Sequence, residues 1–440
     1  MLQSSIFKSY DVRGIYPDQL NEATAFEVGR GFIKHTNAKK VAVGYDARLS
    51  SPELFRSLSE GIISQGAEVY FIGRVPTEGL YFAVANYNCD AGIMITASHN
   101  PKEYNGFKMI TKENGVLQML RGKDLFSTIE KNGYAEVPKG KINEKDIWKD
   151  FFDFTLGFSS NTKRFKVVVD ASNGVMGEAL EKVIDKLPVE VIKLNFEPNG
   201  NFPNHSPNPL EKGSSDQISE LIKKEKADFG IMFDGDADRI FLVDELGKLV
   251  PADIVLLLLA KHFLAKNAGK AVAYNAICSK AVPEFIEKWG GKPVRTQVGF
   301  VNVREGLMKN DGVMGGELSG HYCFADYWYM DSGMITFLTL LQIISSEGKK
   351  VSEIINDLSI YSKAEDNFEV EEKEAILEKI KEKYASGKQD FLDGITVEYK
   401  DWWFNVRPSN TEPLLRLTIE ANTKELLEEK QKELSEFIKN

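Results

Sequence analysis

Short runs of β-branched and other apolar residues alternate with amphipathic stretches along most of the chain, and that alternation limits the class of fold. Lys40–Gly44 reads as a strand, and Pro52–Gln65 has helical spacing with Leu54, Leu58 and Ile62 on one face. Ala67–Ile72 and Gly92–Ile95 are the next strands. A second round contains Phe165–Asp170, Glu190–Leu194 and Phe229–Phe233, and a third contains Ala271–Tyr274, Pro293–Thr296 and Gly312–Met314. Strands that alternate with helices predict parallel sheets covered on both faces. Three such rounds, without a strict repeat, predict three similar α/β domains. The pattern then changes. Lys363–Gly387 is rich in Glu and Lys at helical spacing, and Gly394–Tyr399, Trp402–Val406 and Leu414–Glu420 read as antiparallel strands. Thr423–Lys439 is a closing amphipathic helix with Leu427, Leu434 and Ile438 on one face. This predicts a smaller α+β domain at the end.

Composition narrows the class further. The 440 residues are too many for one ordinary core, at roughly 150 residues per domain. The boundaries fall near residues 153, 252 and 365, giving segments 1–153, 154–252, 253–365 and 366–440. A hydrophobic content of 42% with 27% charged residues is that of a soluble globular chain. The longest apolar run, Ile254–Ala260, stops at Lys261-His262, too short for a membrane span. No secretory signal pattern is visible at the N-terminus. Cys89, Cys278 and Cys323 are few, scattered and odd in number, which argues against a disulfide framework. A reducing cytoplasm is therefore expected. The formal charge of −10 opposes binding to nucleic acid or anionic lipid. An anionic small molecule would need arginines gathered locally.

Five segments carry residue types suited to chemistry. Thr96-Ala97-Ser98-His99-Asn100-Pro101, followed by Asn105-Gly106-Phe107-Lys108, sets a hydroxyl, an imidazole and an amine at the end of a core strand. Strand ends of this kind hold the sites of α/β proteins. The bland alternative is a turn capped by Ser98. Asp234-Gly235-Asp236-Ala237-Asp238-Arg239 follows the strand ending at Phe233. Three carboxylates at alternate positions can converge on one hard cation, Mg²⁺ or Ca²⁺, and repel one another without it. An EF-hand fails here, because its sixth position is Arg239 where Gly is needed and because a strand precedes it. Gly315-Gly316-Glu317-Leu318-Ser319-Gly320-His321 offers groups that can hydrogen-bond sugar hydroxyls from a glycine-rich loop. Arg407-Pro408-Ser409-Asn410-Thr411-Glu412-Pro413 has a phosphate-binding inventory, although a polar hairpin turn would look similar. Tyr10-Asp11-Val12-Arg13-Gly14 is unremarkable by itself.

Taken in this order, the five segments resemble those of the α-D-phosphohexomutase superfamily, in particular its phosphomannomutase/phosphoglucomutase members. The resemblance runs from Tyr10 to Pro413. It implies three mixed α/β domains and a smaller C-terminal α+β domain, related to TATA-box-binding-protein-like folds, around a central cleft. It implies a mutase that interconverts hexose 1-phosphate and hexose 6-phosphate through phosphorylated Ser98 and a hexose 1,6-bisphosphate, which also serves as activator. It implies one Mg²⁺ held by Asp234, Asp236, Asp238 and a phosphoserine oxygen on Ser98. His99 and Lys108 become candidates for proton transfer, with Arg13 and Arg239 steadying the phosphoryl group. Tyr10, Glu317, Ser319 and His321 would contact the sugar phosphate, and Arg407, Ser409, Asn410 and Thr411 would grip the phosphate that is not reacting.

Leu318, where phosphoglucosamine mutases usually carry Gln, favours mannose and glucose. Two positions depart from the family pattern: Ile277 before Cys278-Ser279, where a lysine is common, and Phe300 after Val298-Gly299, where a histidine is usual. Glucosamine or pentose phosphates are the alternative substrates, and a non-catalytic sugar-phosphate binder is the alternative class. No obligate protein partner is evident.

Overall fold

The computed structural model describes residues 2–134, 136–159, 163–409 and 414–439. They cluster in two units: residues 1–250 with 319–352, and residues 251–318 with 353–440.

The first unit holds two large sheets. In one, strands run in the order Val12–Ile15, Tyr104–Glu113, Ala91–Ile95, Lys40–Tyr45, Glu68–Arg74, Ile142–Glu144, and Val116–Leu120 pairs with Tyr104–Glu113. Lys40–Tyr45 is parallel to both Glu68–Arg74 and Ala91–Ile95. Every residue of Ala91–Ile95 is buried, which accounts for its unbroken apolar sequence. Helices Glu22–Thr36 and Ser51–Ser64 lie together on this sheet. A Cβ on Gly29 would stand 2.3 Å from the Leu58 carbonyl oxygen, and one on Gly61 2.2 Å from that of Phe26. Only glycine allows that approach. The other sheet runs Ile240–Val243, Phe229–Phe233, Phe165–Asp170, Val189–Leu194. The unit also contains the antiparallel pair Tyr322–Phe324 and Met330–Asp331, followed by the buried helix Gly333–Glu347.

In the second unit, Ala271–Asn275 is parallel to Lys292–Thr296 and to Met314–Gly316. A separate five-stranded antiparallel sheet runs Ser362–Glu369, Leu414–Ala421, Trp402–Pro408, Ile395–Glu398, Lys388–Asp390. Its core joins Val397, Phe404, Leu415 and Ile419 to Leu427, Leu434 and Ile438 of the closing helix Lys424–Lys439. No helix among the described residues is long and apolar enough to cross a membrane.

Two expectations are corrected. The sheets of the first unit are mixed, not purely parallel. Tyr104–Glu113 runs antiparallel to Ala91–Ile95, and Ile240–Val243 antiparallel to Phe229–Phe233. Each returns from a short loop, which permits only antiparallel pairing. The Glu- and Lys-rich stretch 363–387 is not one helix. Ser362–Glu369 is a strand paired over eight residues with Leu414–Ala421, and the helix is confined to Lys373–Lys383. As an edge strand it tolerates charge, and Phe368 alone among its residues is fully buried.

Candidate active site

Ser98 follows the buried strand Ala91–Ile95, in left-handed backbone at φ 51°. Its amide donates to Thr96 Oγ1 at 2.8 Å. Its hydroxyl donates to Asp234 Oδ2 at 3.0 Å and lies 3.2 Å from His99 Nδ1. The carboxylate loop meets the serine loop closely, because a Cβ on Gly235 would stand 2.8 Å from the Ser98 carbonyl oxygen. Lys108 projects from the neighbouring strand, across the ladder from Met94. Its Nζ donates to Asp236 Oδ2 at 2.8 Å and pairs with Asp238.

Asp234, Asp236 and Asp238 are buried, and each can present an oxygen within 4.8 Å of the others. Burial and the negative charge of Asp236 and Asp238 push Asp234 up to about 8. Burial would also raise Asp238, but Lys108 and His321 hold it well below the ordinary carboxylate range. Burial alone would lower Lys108, but Asp236 and Asp238 keep it firmly cationic. Lys108 is shared between Asp236 and Asp238, and the Arg239 guanidinium stands 3.7 Å from Asp234. Asp236 Oδ1 is buried and has no hydrogen-bond partner among the described residues. Three converging hard oxygen donors, one of them a buried carboxylate with an unpartnered oxygen among the described residues, fit a divalent cation.

Cationic and polar groups surround this cluster. Arg13, on Val12–Ile15, donates to Asn100 Oδ1 at 2.8 Å and pairs with Asp11 at 2.5 Å. Tyr10 is half-buried in the bend before that strand. Arg239 donates its amide to Asp234 Oδ1 at 3.3 Å, and its Nε lies 3.3 Å from His321 Nε2. His321 sits 3.3 Å from Asp238 Oδ1, 3.8 Å from Asp331 Oδ2, and 2.9 Å from the Ser319 hydroxyl through Nδ1. Burial, then Arg239 and Arg13, hold His99 well below the ordinary imidazole value. Ser98, His99, Lys108, Arg13, Arg239, the three aspartates, Ser319 and His321 thus belong to one unit.

Glu317, Arg407 and Ser409 belong to the second unit. Glu317 Oε2 accepts from the Gly299 amide at 3.2 Å. Arg407 lies across the ladder from Arg416. Burial lowers its pKa, and its Nε is buried with no hydrogen-bond partner among the described residues. Asn410 and Thr411 lie outside the described residues.

Sequence reasoning missed Asp46, Arg48 and Asp331. Arg48 is buried, donating to the backbone carbonyls of Ser98 at 2.7 Å, Asn100 at 2.6 Å, Pro101 at 2.7 Å and Tyr104 at 2.8 Å, and to Asp46 Oδ2 at 3.1 Å. One guanidinium therefore organises the whole serine loop. The available signal was an acid and a base just beyond strand Lys40–Tyr45. Asp331 stands beside His321, and burial with the Asp238 charge pushes it up to about 7. Nothing in its local sequence marked it.

Comparison with known proteins matches the chain over nearly its whole length. Domains I, II and III of phosphoglucomutase/phosphomannomutase, each described as alpha/beta/alpha, match residues 4–135, 147–247 and 251–361. The C-terminal domain of the same family matches residues 365–437. A phosphomannomutase of Methanocaldococcus jannaschii is 35% identical, over 98% of this chain and 97% of its own length. A phosphomannomutase/phosphoglucomutase of Pseudomonas aeruginosa is 36% identical, over 97% of this chain and 94% of its own. The crystal structure of a phosphoglucomutase/phosphomannomutase family protein from Burkholderia thailandensis superimposes with a TM-score of 0.90 at 31% identity, covering 100% of this chain and 98% of that one. With all four domains matched in order, the chain belongs to the phosphoglucomutase/phosphomannomutase family.

Proposed function

We propose that this protein is a phosphohexomutase that interconverts the 1-phosphates and 6-phosphates of mannose and glucose. The observation that carries the reading is the buried Ser98 hydroxyl, hydrogen-bonded to Asp234 within the three-carboxylate cluster. In the forward direction, phosphorylated Ser98 gives its phosphoryl group to the free hydroxyl of a hexose 1-phosphate. The Ser98 O–P bond breaks, a sugar O–P bond forms, and the hydroxyl proton leaves to a nearby base. His99, neutral and beside the Ser98 oxygen, is assigned to take that proton, and Lys108, held cationic by Asp236 and Asp238, to donate one to the departing oxygen. The resulting 1,6-bisphosphate reorients, and its other phosphate returns to Ser98. The same bisphosphate, supplied from solution, is the activator that phosphorylates Ser98.

Asp234, Asp236 and Asp238, with an oxygen of phosphorylated Ser98, are assigned to hold Mg²⁺. When bound, it supplies positive charge to the transferring group. Arg13, which donates to Asn100 of the serine loop, and Arg239, whose guanidinium lies 3.7 Å from Asp234, are assigned to steady the phosphoryl oxygens. Tyr10, Ser319, His321 and Glu317 are assigned to the sugar, and Arg407, Ser409, Asn410 and Thr411 to the distal phosphate. Four domains bounded near residues 153, 252 and 365 would each contribute one of these loops. The three cysteines are buried and free, in keeping with a reducing cytoplasm.

The test is an initial-rate assay with Mg²⁺ and glucose 1,6-bisphosphate on the 1-phosphates of mannose, glucose and glucosamine. Comparable mannose and glucose rates are expected. Ser98→Ala should abolish turnover, because no other group then holds the phosphoryl between half-reactions. Near-normal turnover in Ser98→Ala would sink the mechanism. A dominant glucosamine rate would keep the mechanism and overturn the assignment of the sugar.

A further inference from the structure

The two oxygens of Asp236 are in different circumstances. Oδ2 accepts from Thr77 Oγ1 at 2.6 Å and from Lys108 Nζ at 2.8 Å. Oδ1 is buried and has no hydrogen-bond partner among the described residues. A buried carboxylate oxygen left without a donor costs free energy, unless a cation takes the donor's place. Thr77 also reaches the main chain of the same residue, its amide donating to the Asp236 carbonyl oxygen at 3.0 Å. Both residues are fully buried. Thr77 opens helix Thr77–Asn86, so the grip comes from a rigid element. The carboxylate loop is thus held at main chain and side chain together, from a residue 159 positions away in sequence.

Lys108 alone would not set this orientation. Its ammonium is shared with Asp238 and sits on a long flexible stem. Thr77 has a β-branched side chain whose hydroxyl has few places to go. We propose that Thr77 is a positioning residue for the cation site: its hydroxyl engages Asp236 Oδ2 and leaves Oδ1 facing the cation. This rests on the reading that Asp234, Asp236 and Asp238 hold a divalent cation. Partners that fix a ligating carboxylate typically change metal affinity by about 10- to 100-fold when removed. The two hard cations differ in what they require. Mg²⁺ needs near-ideal octahedral geometry, whereas Ca²⁺ accepts variable geometry. Freeing Asp236 should therefore penalise Mg²⁺ more than Ca²⁺.

The experiment is calorimetric titration of the full-length wild type, Thr77→Val and Thr77→Ser with Mg²⁺ and separately with Ca²⁺. The phosphorylation state of Ser98 is matched by mass spectrometry. Thr77→Val is expected to weaken Mg²⁺ binding by about tenfold or more and Ca²⁺ binding by a clearly smaller factor. Thr77→Ser, which keeps the hydroxyl, should retain wild-type affinity for both. If the valine variant does not fold, Thr77→Ala removes the same hydroxyl and should show the same Mg²⁺-selective loss. Wild-type Mg²⁺ affinity in the variant lacking the hydroxyl overturns the proposal. So does equal weakening of both cations, the mark of general loosening. A wild type that binds neither cation overturns the cation reading itself, and this inference with it.

Discussion

Ser98 presents its hydroxyl to Asp234 from a backbone at φ 51°, a conformation that costs an ordinary residue about 1–2 kcal/mol. Arg48 supplies the compensation, through four backbone carbonyls between Ser98 and Tyr104. Replacing Arg48 with Met leaves those carbonyls without their donor and Asp46 without its cation, all in a buried place. The expected cost is about 3–5 kcal/mol, read as a lower denaturation midpoint. Arg48→Lys keeps the charge but not the planar fork, so it should recover part of the stability and little of the turnover. Chemical unfolding and steady-state rates check this. An Arg48→Met protein as stable and active as the wild type would refute the clamp. The same contrast separates what was legible from what was not. Ser98 and the three aspartates stand in compact motifs at strand ends, where their chemistry can be read from neighbours in sequence. Arg48, Thr77 and Asp331 take their roles from partners remote in the chain, and no local spacing encodes those.

At the scale of elements, helix Thr77–Asn86 is tied to the start of helix Gly333–Glu347 through Glu78. Its carboxylate accepts from the Met334 amide at 3.2 Å and from the Ser332 hydroxyl. A negative charge suits a helix N-terminus, yet burial dominates and pushes Glu78 up to about 8. The sign follows from linkage. Below pH 4.5 both folded and unfolded states are protonated, and Glu78 has no effect on pH dependence. Between about 4.5 and 8 the unfolded state ionises while the folded state keeps its proton, so stability falls by about 1.4 kcal/mol per pH unit. Above that window both are ionised and the loss stops. Glu78→Gln keeps the shape and removes the titration. The stability of the wild type relative to Glu78→Gln should therefore fall between pH 5 and 8 and level off beyond about 9. Urea denaturation across that range gives the answer, and parallel curves would contradict it. Elements were legible where burial was two-sided, as in Ala91–Ile95 and Phe229–Phe233. Ser362–Glu369 was not legible, because an edge strand with one buried apolar side chain carries no alternation, and its identity lies in its partner Leu414–Ala421.

At the scale of the whole molecule, the alternation of strand and helix was enough to predict three α/β domains and a different fourth, because every sheet must bury its faces whatever its detailed order. The direction of returning strands was not, since short loops and their registers carry no hydrophobic signal of their own. The division of the chain also divides the chemistry. Ser98 and the carboxylates lie in the first unit, and Arg407 lies in the second. Arg407 lies opposite Arg416 in the ladder, so two guanidinium side chains rise from one pair of facing positions. Burial lowers the pKa of Arg407 against the pull of Asp393, and its Nε has no hydrogen-bond partner among the described residues, which suits the phosphate grip proposed for it. Arg407→Ala should therefore raise KM for mannose 1-phosphate by about tenfold or more, the worth of one to two charge-assisted hydrogen bonds. Mg²⁺ affinity, assigned above to the carboxylates of the first unit, should stay at the wild-type value. The denaturation midpoint should hold, because Arg407 is not among the apolar side chains that form the core of this sheet. Kinetics, calorimetry and thermal unfolding on one preparation separate the cases. A KM that does not move would remove Arg407 from the phosphate grip, and a fall in midpoint together with weaker Mg²⁺ binding would assign it to the fold instead.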